Sequence, residues 1–181
     1  MENIKQAQLE MRNNHKWGAT GILVSGLTWL LTAFVAYNNS SRYAVWTLLI
    51  GGVFIYPISA IFNKILGVSG TNSKNNVLTN LAMEGTFFML MCIPLAYGLS
   101  LQHPEWFFQG MLMIIAGRYL TFNTLYGTKL YWVLGATLGV SGYLLFSLKE
   151  SCFISALSGS IIEILFGIMM FNFSRITKKQ L

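Results

Sequence analysis

The sequence predicts an all-α, polytopic membrane bundle of about six transmembrane helices with both termini cytoplasmic. Three observations predict it. Only 10% of the 181 residues are charged, and none is aspartate; soluble domains carry about 25%, so the chain lacks the surface that would keep it in water. Six apolar runs are each long enough to cross roughly 30 Å of hydrocarbon at about 1.5 Å per residue. The lysines and arginines between those runs fall mostly on one side.

The first run, 17–37, follows a leader of mixed sign that contains Glu2, Lys5, Glu10, Arg12 and Lys16. A long, mixed leader before a long apolar run predicts a retained helix rather than a cleaved signal peptide. Ile4, Ala7, Leu9 and Met11 stand at roughly helical spacing, which permits a short interfacial helix, with a frayed tail as the alternative. The second run, 43–62, contains Pro57 and the third, 78–101, contains Pro94. Both prolines are tolerated where neighbouring helices satisfy the freed carbonyls. The connection 63–77 is rich in Gly and Asn and reads as a flexible cytoplasmic loop. The fourth run is 106–126. The fifth, 130–148, carries Gly135, Gly139 and Gly142, small residues that suit close helix packing. The sixth is 153–173. Trp17, Tyr37, Tyr43, Trp46, Tyr97, Trp106, Tyr126, Tyr131 and Trp132 stand near run ends, where aromatic rings favour the headgroup level. The whole chain, 1–181, is expected to be a single integral membrane domain.

Orientation follows from charge. Lys5, Arg12, Lys16, Lys64, Lys74, Lys129, Arg175, Lys178 and Lys179 share one side, nine in all, against Arg42 and Lys149, two, on the other. That bias places the first side in the cytoplasm.

Three ionisable residues fall inside the runs: Glu84 in the third, Arg118 in the fourth and Glu163 in the sixth. Such residues are costly in lipid and face a bundle interior or a cavity. Counted from the cytoplasmic ends at helical rise, they lie roughly 9, 12 and 15 Å deep, which suggests a shared cluster. Gly159, Glu163 and Gly167 form one stripe, so Glu163 should face protein. Asn80 lies one turn before Glu84, and Tyr119 and Thr121 accompany Arg118. These six residues are the candidate substrate or proton site. Its charges balance best as one Glu–Arg ion pair plus one neutral carboxyl.

Other classes are poorly served. The net charge of +6 is scattered rather than gathered into a phosphate-tracking patch, so nucleic acid is not an expected partner. Cys92 and Cys152 form no CxxC, and His15 and His103 stand far apart, so no metal and no cofactor is expected. No catalytic residue set is visible, and the absence of aspartate excludes an Asp-rich diphosphate motif.

Several stretches carry a resemblance: Val45-Trp46-Thr47-Leu48-Leu49-Ile50-Gly51-Gly52, Glu84-Gly85-Thr86-Phe87, Pro94-Leu95-Ala96-Tyr97, Pro104-Glu105-Trp106-Phe107-Phe108 and Gly117-Arg118-Tyr119-Leu120-Thr121-Phe122. Over nearly the whole chain the sequence resembles a family of small bacterial multi-pass membrane proteins of unknown function. The resemblance implies a cell-membrane location and supplies no activity. The functional expectation is therefore a small proton-coupled transporter or channel-like protein, small enough to suggest a homo-oligomer in the lipid bilayer, with an unassigned small molecule or ion as substrate. The alternatives are a membrane-embedded enzyme on a lipid-like substrate and a non-catalytic assembly or effector subunit.

Overall fold

In a computed structural model, the backbone is described for residues 2–73 and 75–178 and side chains for 3–73 and 75–175. Lys74, Lys179 and the Lys178 side chain, all part of the charge count, lie outside the described residues. Seven helices make up the described chain: α1 (Glu2–His15), α2 (Ala19–Asn38), α3 (Ser41–Ile65), α4 (Leu78–Ser100), α5 (Pro104–Tyr126), α6 (Leu130–Ser147) and α7 (Cys152–Lys178), with a single 3-10 turn at Lys16–Gly18. The six predicted runs correspond to α2 through α7. Helices α3 and α4 continue through Pro57 and Pro94.

Local chemistry sets several of the ends. Ser40 accepts the Tyr43 backbone N–H at the start of α3, a serine N-cap. Pro104 occupies the first turn of α5, and Gly127 ends that helix at φ 61°, the backbone region that glycine adopts without penalty.

Two trios of helices make up the bundle. Helix α2 packs most extensively on α7 and also on α3, while α5 packs on α6 and α4; the trios meet where α7 touches α5 and α6 and where α3 touches α5. Small residues let the backbones approach. A Cβ on Gly26 would stand 3.0 Å from the Ile164 nitrogen on α7, one on Gly135 2.9 Å from the Ala116 carbonyl on α5, and one on Gly142 3.0 Å from the Gln109 carbonyl. The glycines read as packing residues are therefore helix contacts.

Five stretches among the described residues are long and apolar enough to cross a membrane: Asn3–Asn38, Ser41–Ile65, Leu78–Ser100, Leu130–Ser147 and Cys152–Arg175. The fourth predicted run, α5, has the length at 23 residues but not the hydropathy. It carries Gln109, Arg118 and Asn123 and buries Phe107, Phe108, Gln109, Leu112 and Ala116. An interior helix touches neighbours more than lipid, so polar side chains are tolerated on it. The outer surface is apolar, with Val53, Tyr56, Met91 and Leu165 exposed. Such a bundle is compatible with an integral membrane protein.

The leader forms a helix that docks on the bundle. Ala7 and Met11 are buried, and α1 turns into α2 through three successive left-handed residues, Lys16 (φ 49°), Trp17 (φ 58°) and Gly18 (φ 76°). A Cβ on Gly18 would collide with the Tyr131 hydroxyl. Gly18→Ala is expected to cost about 2–4 kcal/mol, the sum of left-handed strain and overpacking, read as a lower unfolding temperature in detergent.

Acid should loosen this docking in two stages. Burial holds the His15 imidazole below its ordinary 6.5, against opposing contacts from Asn72 and Glu10. The folded protein therefore resists protonating it, and stability falls as pH drops below about 6.5. The Ser73 backbone N–H and the Asn76 amide hold the Glu10 carboxyl below its ordinary 4.5. That contribution is complete above pH 4.5 and disappears as pH falls through the lowered value. Amide hydrogen exchange in α1 should accelerate across both windows, and Glu10→Gln should remove the lower one.

Candidate functional site

Consecutive residues of α5 aim at two different helices. Arg118 faces α4, where Nη2 donates to the Thr86 hydroxyl at 3.1 Å and Nη1 to the Met89 sulfur at 3.6 Å. Its Cζ lies 5.4 Å from the Phe122 ring centroid, a cation–π distance. Its Nε is buried without a hydrogen-bond partner. Tyr119 faces α7, where its hydroxyl donates to Glu163 Oε1 at 2.9 Å.

Glu163 is fully buried, at 0% exposure. A second hydroxyl, Ser25 of α2, lies beside the carboxyl and the phenol, while Oε2 makes no hydrogen bond. The position follows from the α2–α7 seam. A Cβ on Gly26 would come within 3.2 Å of Glu163 Cβ, and Gly159 and Gly167 pack against Trp29 and Leu23 of α2. The glycine stripe thus turns Glu163 into protein, as its spacing predicted.

The expected cluster of three charges is not assembled, and this corrects the sequence reading. Glu84 and Asn80 are exposed. Gly85 faces Thr121, and Thr86 faces Arg118. At about 100° per residue, the position before Gly85 rotates away from α5. Among the described residues no carboxylate pairs directly with Arg118, although its charge reaches Glu163. Thr121 donates to the Arg118 carbonyl at 2.7 Å and so acts locally. Of the six candidates, the fold joins Tyr119 to Glu163, sets Arg118 next to Tyr119, and leaves Glu84 and Asn80 outside.

A stack of phenols extends from this site. Tyr131 stacks on Tyr119 with ring centroids 6.1 Å apart and on Tyr126 at 5.3 Å. Its hydroxyl donates to the Trp17 carbonyl at 2.6 Å. Trp17, Tyr126 and Tyr131 are buried, so their assignment to the headgroup belt is also corrected; α1 covers the end they occupy. Sequence reasoning passed over Thr86, Met89 and Tyr131 as site neighbours. It passed over Ser25 in the same way. The usable signal was the aromatic spacing, since Tyr119, Phe122 and Tyr126 follow three or four apart on α5.

Chemically the arrangement offers a fixed cation, a protonatable carboxyl and a phenol between them. No group of three or more His, Cys, Asp or Glu that could hold a metal occurs among the described residues. Two grooves open on the outer surface, one of about 620 Å³ beside Thr137, Val140 and Ile162 and one of about 430 Å³ beside Thr121, Thr124 and Trp132. Neither is lined by Arg118 or Glu163.

One family model, described as a family of unknown function (DUF7010), matches residues 4–173. No curated protein and no solved structure matches the chain.

Proposed function

The chain belongs to this family of unknown function, and from that premise we propose that it is a small cell-membrane transporter that moves a small anion together with a proton, its termini cytoplasmic. The single observation that carries the proposal is that neighbouring residues of α5 set an arginine without a direct carboxylate contact beside a buried carboxyl of α7. Arg118 makes its direct contacts with a hydroxyl, a thioether and a ring and with no carboxylate, while its neighbour Tyr119 holds a fully buried carboxyl that lies within reach of the Arg118 charge.

Charge balance supplies the coupling rule. A guanidinium stays charged at any accessible pH, and net charge within hydrocarbon costs from about 2.5 to more than 10 kcal/mol by different measures. Two states of the site are neutral. In the empty one, ionised Glu163 offsets Arg118. In the loaded one, an anion rests at Arg118 and Glu163 holds a proton. The two mixed states carry a full charge. Anion and proton therefore cross together, one for one.

The purified protein in liposomes containing a pH-sensitive dye provides the test. Inward gradients of chloride, phosphate and small carboxylates are imposed in turn. One class should carry protons with it, and Arg118→Ala should end that movement. Proton entry that is the same for every anion, or that survives Arg118→Ala, overturns the reading.

A second reading, a non-catalytic membrane subunit, is favoured by α4. Its buried residues are Leu78 and Ala96, and it exposes Asn80 and Glu84 in a surface that otherwise suits lipid. Loss of self-association or of a co-purifying partner in Glu84→Leu, with proton movement absent from the native protein, would support that reading.

A further inference from the structure

The proposed site is tied to the cytoplasmic end of the bundle by α1, and the ties are polar. Arg12 Nε donates to the Tyr126 carbonyl at 2.6 Å, and Gln8 Nε2 donates to the Thr124 carbonyl at 2.8 Å. Both acceptors belong to the last turn of α5, the helix that carries Arg118 and Tyr119. On its other face α1 holds the loop between α3 and α4. The Glu10 carboxylate accepts from the Ser73 backbone N–H and, at 2.9 Å, from the Asn76 amide, and the Asn14 amide donates to the Thr71 carbonyl at 2.7 Å. Helix α1 therefore spans from the second trio's α5 to the loop that joins the trios.

We propose that α1 is a releasable strap that clamps α5 to the loop joining the two trios and closes the way to Glu163. Three features distinguish a strap from a fixed brace. Its grip on α5 and on the loop is made of hydrogen bonds, each worth only about 0.5–1.5 kcal/mol net, with Ala7 and Met11 as its buried apolar side chains. Its connection to α2 is a run of left-handed residues, two of them not glycine, which stores strain that release would relieve. The hinge is also wired to the site: the Trp17 carbonyl in the hinge accepts from Tyr131, Tyr131 stacks on Tyr119, and Tyr119 holds Glu163. Lifting α1 withdraws the Trp17 carbonyl from Tyr131 and uncovers the end of the phenol stack.

The strap reading rests on the transport reading for its purpose and not for its test. In a chain with Cys92→Ala and Cys152→Ala, Met11→Cys reports strap opening through its labelling rate with a water-soluble maleimide. Arg12→Ala should raise that rate about tenfold, the equivalent of about 1.4 kcal/mol. In a second chain, Gln8→Cys and Thr124→Cys are bridged by a short reducible bifunctional thiol reagent, which holds α1 closed on a folded bundle. Mass spectrometry then follows modification of Glu163 by a water-soluble carbodiimide with an added amine. Bridging should slow modification at least tenfold, and reduction should restore it. Equal Glu163 modification in the bridged and reduced protein overturns the strap, whatever the liposome assay gives. A strap that gates Glu163 in a protein that carries no anion with its protons would leave the strap standing and remove the transport reading alone.

Discussion

Glu163→Gln is expected to leave the bundle folded and to lower anion-driven proton movement roughly a hundredfold or more, the usual scale for losing a positioned acid–base group. Glutamine keeps the shape and keeps an oxygen to accept the Tyr119 hydroxyl, now at 2.9 Å from Oε1. Its amide nitrogen replaces Oε2, the atom without a partner, so the stability cost should stay near 1–3 kcal/mol. What is lost is the site's ability to alternate between charged and neutral. With glutamine the empty site always carries the charge of Arg118, so only the anion-loaded state is neutral. Anion exchange without protons should therefore survive in this variant while proton coupling disappears. That split separates a coupling role from simple damage, which would depress both. Tyr119→Phe makes a useful companion: it removes the phenol that donates to the carboxyl, leaving Ser25 beside it, and should shift the pH dependence of transport without abolishing it. If Glu163→Gln moves protons at the native rate, Glu163 is a packing residue and the transport reading fails.

The helices were legible because hydropathy and caps report on the chain locally. The Ser40 cap, Pro104 and Gly127 mark ends that the apolar runs also suggest. Facing was legible where small residues announced a neighbour. Glu163, between Gly159 and Gly167, could be assigned to protein for that reason. Glu84 has no comparable stripe, and similar depth was taken as a sign of proximity. Depth fixes one coordinate of three, and the rotation of α4 placed the carboxylate outside. Tyr126 and Tyr131 show a different limit. A ring near a run end belongs to the headgroup layer unless something covers it, and the cover is α1. Its attachments to α5 are to the backbone carbonyls of Thr124, Tyr126 and Gly127, acceptors that every residue possesses and no sequence pattern advertises. The same holds for Arg118, whose neutral partners Thr86 and Met89 are a choice that charge pairing would not suggest.

Gly26→Val is the substitution expected to disturb the fold most, because it acts where α2 and α7 are closest to Glu163. The first added carbon would already stand 2.8 Å from Ile164 Cγ1, 3.0 Å from the Ile164 backbone nitrogen and 3.2 Å from Glu163 Cβ. A flexible side-chain tip can step aside; a helix backbone cannot without moving α7 bodily. Overpacking costs about 1–3 kcal/mol for well-placed additions, and the two further methyl groups of valine should carry Gly26→Val beyond about 3 kcal/mol. Pushing α7 outward also draws Glu163 from Tyr119, so proton coupling should fail together with stability, unlike the selective loss in Glu163→Gln. Gly52 supplies the control, since a Cβ there meets nothing within 4 Å. Gly52→Ala should be neutral, or slightly stabilising through the better helix propensity of alanine. Thermal unfolding of the three proteins in one detergent decides the matter. Near-native stability of Gly26→Val would mean that the α2–α7 seam has slack, and a carboxyl held in a slack seam could not be kept dry between Tyr119 and Ser25.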